Sequence, residues 1–168
     1  MAGIFARTMK HLGTGTGAVR RRFDGAVMAR IGDAIVAAER GHAGEIRFAV
    51  EAALPVRTLA RHPDARSRAV EMFSQLRVWD TEDNTGVLVY LLWAERAIEI
   101  VADRGISRLV AADAWQVPCN RLAARLRQGD DVAEAVCECV AAIGDILRGA
   151  LPAAGQTPDE LPDTPVIV

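Results

Sequence analysis

Cysteine is scarce in this chain of 168 residues, and its pattern excludes two classes at once. Cys119, Cys137 and Cys139 are odd in number and lack metal-ligand spacing, so neither a disulfide framework nor a thiolate metal site is indicated. Histidine is equally sparse. His11, His42 and His62 all lie in the first half, and none stands in a known arrangement that would activate Cys119 as a nucleophile. No stretch approaches the roughly eighteen consecutive apolar residues that a membrane-spanning helix needs. The opening MAGIFARTMKHLGTG has an apolar run too short and too broken for a signal peptide. GTGTGAVRRR lacks both the G-K-S/T ending and the preceding strand of a phosphate-binding loop. Nor does one sign of charge dominate: the net charge is −2 and the pI about 5.9, which speaks against a nucleic-acid partner. Together these absences predict a soluble, cytoplasmic protein with reduced thiols.

What is present suffices for a core. Hydrophobic residues make up 51% of the chain and charged residues 25%, and one domain of this length buries roughly two-thirds of its unfolded surface. Charge is distributed unevenly. Residues 1–23 carry Arg7, Lys10, Arg20, Arg21 and Arg22 and no acid, a local +5 that leaves −7 for the remainder. Lacking a sustained period and containing GTGTG, this segment reads as a flexible basic arm. It is either a solvated tail or a segment drawn weakly to an anionic membrane surface. The domain itself is expected over 24–149, followed by an extended, Pro-rich tail over 150–168 that holds four of the seven prolines. Val166 to Val168, at the apolar end of the tail, are expected to dock on the body or on a partner.

Helical spacing of Val27, Ile31, Ile35 and Ala38 begins after Asp24, a suitable N-cap, and stops at Gly41. EIRFAVEA over 45–52 then alternates as a strand does. Pro55 and Pro63 mark a loop, and Ala65 to Arg77 resumes the helical period. VLVYLLW, Val87 to Trp93, is a continuous apolar run of the kind found in a strand covered on both faces. Only Ala94-Glu95-Arg96 separates it from AIEIVAD, so the two should form a hairpin. Two helices, roughly Ala111 to Arg127 and Val132 to Leu147, close the domain. Gly129 lies between them, and Pro118 should kink the first or mark its start.

This order fixes a geometry. The strand–helix–strand crossover makes the first two strands parallel, and the hairpin makes the third antiparallel to the second. One end of the sheet therefore collects the start of strand one, the loop Trp79 to Gly86, and the end of strand three with Ala102 to Ile106. Glu45, Asp80, Glu82, Asp83 and Asp103 can converge there. Oxygen donors of this kind, with the side-chain carbonyl of Asn84, suit a hard divalent cation such as calcium or magnesium. The bland alternative is a set of solvated loop acids that satisfy turn backbones. Asp80, Glu82, Asn84 and Gly86 echo a calcium-binding loop, but the glycine comes one place late and Leu91 stands where the bidentate glutamate belongs, so this is not an EF-hand. Arg104 can neutralise the acids or offer a fork to phosphate. Trp79 borders the loop as a contact for a phosphate ligand or a partner. Trp93 and Trp115 read as core residues.

HAGEIRFAVE, VWDTEDNTGVLVYLLWAERAIEIVADRGI and the closing LPDTPVIV resemble the TPM-domain family, and in particular its short soluble bacterial branch. The resemblance covers about residues 24 to 168. It implies a three-layer α/β/α sandwich over a small mixed sheet and a divalent-cation site. It also implies acid phosphatase activity, as in some plant members. Longer bacterial members are membrane proteins, which implies a membrane-anchored family member as a partner and a place beside the inner membrane. The family's D-N-G turn matches Asp83-Asn84, with Thr85 inserted before Gly86. Its glycine-rich stretch after the third strand is here Ala102-Asp103-Arg104-Gly105, without the first glycine. The leading reading is a non-catalytic or very weakly catalytic domain that binds a divalent cation or a protein partner at this acidic loop edge, and the cation ligands expected from it are Asp80, Asp83, Asn84 and Asp103. Two alternatives follow: a weak metal-assisted acid phosphatase with Arg104 steadying the phosphate, and an interaction module of a membrane-associated complex.

Overall fold

The computed structural model describes residues 2–61, 64–153 and 159–168. Three helices lead in: α1 (Ala2–Leu12), α2 (Thr16–Arg22) and α3 (Gly25–Ala38). Strand β1 (Glu45–Glu51) precedes α4 (Val56–Arg61) and α5 (Ala65–Gln75). Strands β2 (Gly86–Leu92) and β3 (Ala97–Ala102) follow as a hairpin, and then α6 (Arg104–Ser107), α7 (Gln116–Gln128) and α8 (Val132–Ala150). The last element is β4 (Val166–Ile167). His62, Pro63 and residues 154–158 of the expected tail lie outside the described residues.

The four strands form one mixed sheet in the order β3-β2-β1-β4. β1 and β2 are parallel from Glu45↔Gly86 to Glu51↔Leu92, and β2 and β3 are antiparallel from Val87↔Ala102 to Leu92↔Ala97. Alternation along the strands divides the core into two faces. Ile46, Phe48, Val50, Val87, Val89, Leu91 and Ile100 pack with α3, α7 and α8; Ala49, Leu88, Tyr90, Leu92 and Val101 pack with α5. Helices on both faces of the sheet make the three-layer α/β/α sandwich. β2 is buried at all seven positions, which explains its unbroken apolar sequence.

Local signals act as expected in most places. The Asp24 carboxylate accepts from Val27 N at 2.9 Å and caps α3, and Gly41 takes a left-handed φ of 89° just beyond it. Pro118 falls in the first turn of α7, where its missing N–H costs nothing. Among the described residues no helix is long and apolar enough to cross a membrane.

The basic arm requires correction. Residues 2–12 and 16–22 are helical, and Val19 and Phe23 are buried in the core, with Phe23 stacked near Phe48. His11 is also buried. Its Nδ1 accepts from Leu54 N at 2.8 Å and its Nε2 meets Glu95 Oε1 at 2.6 Å. Two apolar anchors one turn apart and one internally bonded imidazole hold the segment down; its net charge concealed them. The tail end also docks on the body. β4 pairs in parallel with β1 through Ala49↔Val166 and Val50↔Ile167, and Leu161 is buried.

Candidate functional site

Two glycines set the loops at the Gly86 end of the sheet. A Cβ at Gly86 would lie 1.9 Å from the Val78 carbonyl oxygen, so the chain leaving α5 crosses directly over this residue. A Cβ at Gly105 would lie 2.5 Å from the carbonyl oxygens of both Asp83 and Asn84. The 80–86 loop and the start of α6 are therefore in backbone contact, which no larger side chain permits. Gly105 N donates to Asn84 O at 3.0 Å, Asp103 N donates to Gly86 O at 2.9 Å, and Glu45 N donates to Thr85 O at 3.1 Å. Asn84 itself is left-handed, with φ 57°, which asparagine tolerates better than most residues. Within the loop, buried Thr81 accepts Thr85 N on its hydroxyl at 2.8 Å.

The predicted site residues divide into two groups. Asn84, Asp103 and Arg104 are brought together. Arg104 Nε donates to Asn84 Oδ1 at 2.9 Å, and Arg104 N donates to Asp103 Oδ1 at 2.6 Å as the start of α6. Asp103 Oδ2 is buried and, among the described residues, has no hydrogen-bond partner. Asp83 presents its backbone carbonyl to Gly105 in the same place. Asp80 and Trp79 stand apart. Asp80 pairs with Arg77 at 3.0 Å, and exposed Trp79 lies under the Arg77 guanidinium at 5.8 Å.

Sequence reading missed the tail here. The Glu160 carboxylate accepts Glu82 N at 3.1 Å, and Leu161 N donates to Glu45 Oε2 at 3.3 Å. Glu45 is thereby buried, and burial first, then the charges of Asp159 and Glu160, push its carboxyl above the usual range. Only the acidity of P-D-E-L-P-D hinted at this, and composition alone cannot assign a place to a segment more than a hundred residues distant. Among the described residues no group of three His, Cys, Asp or Glu side chains has the spacing to hold a metal ion. Asparagine and backbone oxygens lie outside that set. Oxygens of those kinds at the same loop edge are Asn84 Oδ1, bonded to Arg104, and the Asp83 and Asn84 carbonyls that face Gly105.

A four-stranded mixed sheet sandwiched between helices, with oxygen donors gathered where β2 begins and β3 ends, defines the class: a small α/β/α domain with an oxygen-lined loop edge. The TPM domain model matches residues 22–146, and the chain belongs to that family. The NMR structure of the BA42 protein from the psychrophilic bacterium Bizionia argentinensis has the same fold, with a TM-score of 0.74 and 27% sequence identity. That match covers 86% of this chain and 94% of the other. No curated protein matches the chain.

Proposed function

We propose that this TPM domain binds a divalent cation, calcium or magnesium, at its loop edge. Asp103, Asn84 and Asp83 supply the oxygens, and Asp80 joins them only when its pair with Arg77 opens. The observation that carries this reading is Asp103 Oδ2, a carboxylate oxygen that is buried and has no donor among the described residues. Buried polar atoms are nearly always paired, and carboxylate, amide and backbone oxygens are the ligands that a hard divalent cation takes. The Asn84 carbonyl is spent on Arg104, so ion binding exchanges one positive charge for another and frees the guanidinium.

That exchange also bears on catalysis. A phosphatase would need the cation and a free Arg104 together, to polarise a phosphoryl oxygen and hold the phosphate. Cation binding without turnover is the simpler reading of a site whose arginine is internally bonded.

Thermal melts with millimolar calcium or magnesium test the proposal. The melting temperature is expected to rise with either ion, since a ligand that binds only the folded state stabilises it. The rise should vanish in Asp103→Asn and shrink in Asp83→Asn. No rise with either metal overturns the reading. Phosphate-ester hydrolysis that is lost in both variants would replace it with the phosphatase.

A further inference from the structure

At the opposite end of β2, about 20 Å away along the strand, the charge reverses. Trp93 is nearly buried, with its edge against Phe23 at 5.5 Å and 89°. Two guanidinium groups converge on its ring: Arg96 Cζ lies 3.5 Å from the centroid and Arg22 Cζ 5.9 Å from it. Neither arginine meets a carboxylate among the described residues. The acids adjacent in sequence are both engaged elsewhere. Glu95 takes Arg7 Nε at 2.7 Å and His11 Nε2 at 2.6 Å, and Asp24 caps α3. Burial, then the Arg22 charge, holds the half-buried Arg96 guanidinium below its usual pKa.

The backbone adds an independent observation. Arg96 closes the turn between β2 and β3 with φ 51°, a left-handed conformation that glycine or asparagine would adopt at less cost. Strained conformations of this kind persist where the side chain has a task. Here the side chain also donates to Trp93 O, which fixes the guanidinium over the ring. Exposed Arg20 and Arg21 on α2 extend the positive field beside it.

We propose that Arg22 and Arg96, held on Trp93, form a binding site for a phosphate group. Two planar forks close to the same ring each match two oxygens of a phosphate mono- or diester, and a bound anion relieves the repulsion between them. The site is independent of the cation edge. Free phosphate and the headgroup of an anionic lipid carry the same chemistry, and two probes separate them. The full chain, labelled with 15N, is titrated with inorganic phosphate at constant ionic strength while the Trp93 indole N–H resonance is followed. In parallel it is sedimented with vesicles of phosphatidylcholine, with and without phosphatidylglycerol.

A saturable shift with phosphate supports the site as one for a soluble ligand. Retention on the phosphatidylglycerol vesicles alone supports a lipid headgroup. In either case Arg96→Gln and Arg22→Gln are each expected to weaken binding at least tenfold, and Arg96→Lys nearly as much, because lysine keeps the charge but loses the fork. Arg22 is exposed, so Arg22→Gln reports on binding even if Arg96→Gln disturbs the turn. No response to either probe overturns the proposal. So does binding that survives Arg22→Gln, or binding by Arg96→Lys equal to that of the native chain.

Discussion

Glu39, just past the end of α3, offers a quantitative test of how the tail is held. Its Oε1 accepts Ile46 N at 2.6 Å, and the Asp163 carboxylate in the tail lies close enough to raise its pKa. Burial, reinforced by the charges of Glu45 and Asp163, pushes this carboxyl from an ordinary 4.5 up to about 9, against the pull of the Ile46 N–H. The folded chain thus keeps a proton that the unfolded chain releases above pH 4.5. The sign follows: stability from this group is complete below pH 4.5 and declines as pH rises to about 9. Glu39→Gln removes the titration while keeping an acceptor for Ile46 and supplying a donor for Asp163. At pH 7 the linkage ceiling is roughly 3.5 kcal/mol, from ~1.4 kcal/mol per pH unit above 4.5. Discounted for the partial exposure of the side chain, a gain of about 1–2 kcal/mol remains. In a domain of this size that raises the melting temperature by about 3–6 °C. Calorimetric melts from pH 5 to 9 at fixed ionic strength should show the native curve falling and the curve of the Glu39→Gln variant nearly flat, with the gap widening toward alkaline pH. Parallel curves, or a variant less stable than the native chain at pH 8, would refute the reasoning.

Three further outcomes are expected. Gly105→Ala places a methyl 2.5 Å from two carbonyl oxygens and should cost about 2–3 kcal/mol in urea unfolding; a neutral result would mean that the two loops do not touch. Tyr90→Phe removes a 2.5 Å hydrogen bond to Glu51, which Arg68 still holds through two contacts at 2.8 and 2.9 Å. A loss of about 1–2 kcal/mol is expected, and Glu51→Ala should cost more by stranding both partners. Burial pushes the Cys119 thiol up to about 11 and that of Cys139 up to about 12. Buried Cys139 should react with a disulfide reagent near neutral pH only as fast as the chain opens, and half-buried Cys119 slowly because little of it is thiolate; rapid labelling of Cys139 in the folded protein would contradict its placement.

The fold was legible where periodicity is strong. VLVYLLW read as a strand covered on both faces, and all seven positions of β2, Gly86–Leu92, are buried between helices. The short Ala94-Glu95-Arg96 link dictated the hairpin, and strand order then gathered Asn84, Asp103 and Arg104 at one end. The rest depended on contacts that no local pattern encodes. β4 is two residues long and finds its partner across more than a hundred positions. The N-terminal helices were hidden because their anchors, Val19 and Phe23, are few and stand among arginines. Charges were harder still. Asp80 reads as a candidate ligand in a line of acids, yet its carboxylate turns back to Arg77 three residues earlier. Glu160 looks like tail solubility and instead binds the Glu82 backbone. Where a carboxylate points depends on the donor it meets first, and that donor is set by the fold.

The pairing of β4 with β1 has a consequence for biosynthesis. β1 leaves the ribosome with more than a hundred residues still to be made before Val166 can reach it. At about 5–20 residues per second, its outer edge waits roughly 6–25 s for that partner. During this interval a nascent sheet with one open side is exposed to neighbouring chains. The sequence of β1, EIRFAVE, guards that interval: Glu45, Arg47 and Glu51 place a charge near each end of its apolar stretch, and charges so placed discourage a stray strand from adding there. In the finished protein the same three residues are bonded inward, Arg47 to the carbonyls of Pro162 and Thr164, Glu45 to Leu161 and Glu51 to Arg68. Side chains that serve as gatekeepers during synthesis become fasteners in the folded chain, Arg47 and Glu45 to the tail and Glu51 to α5.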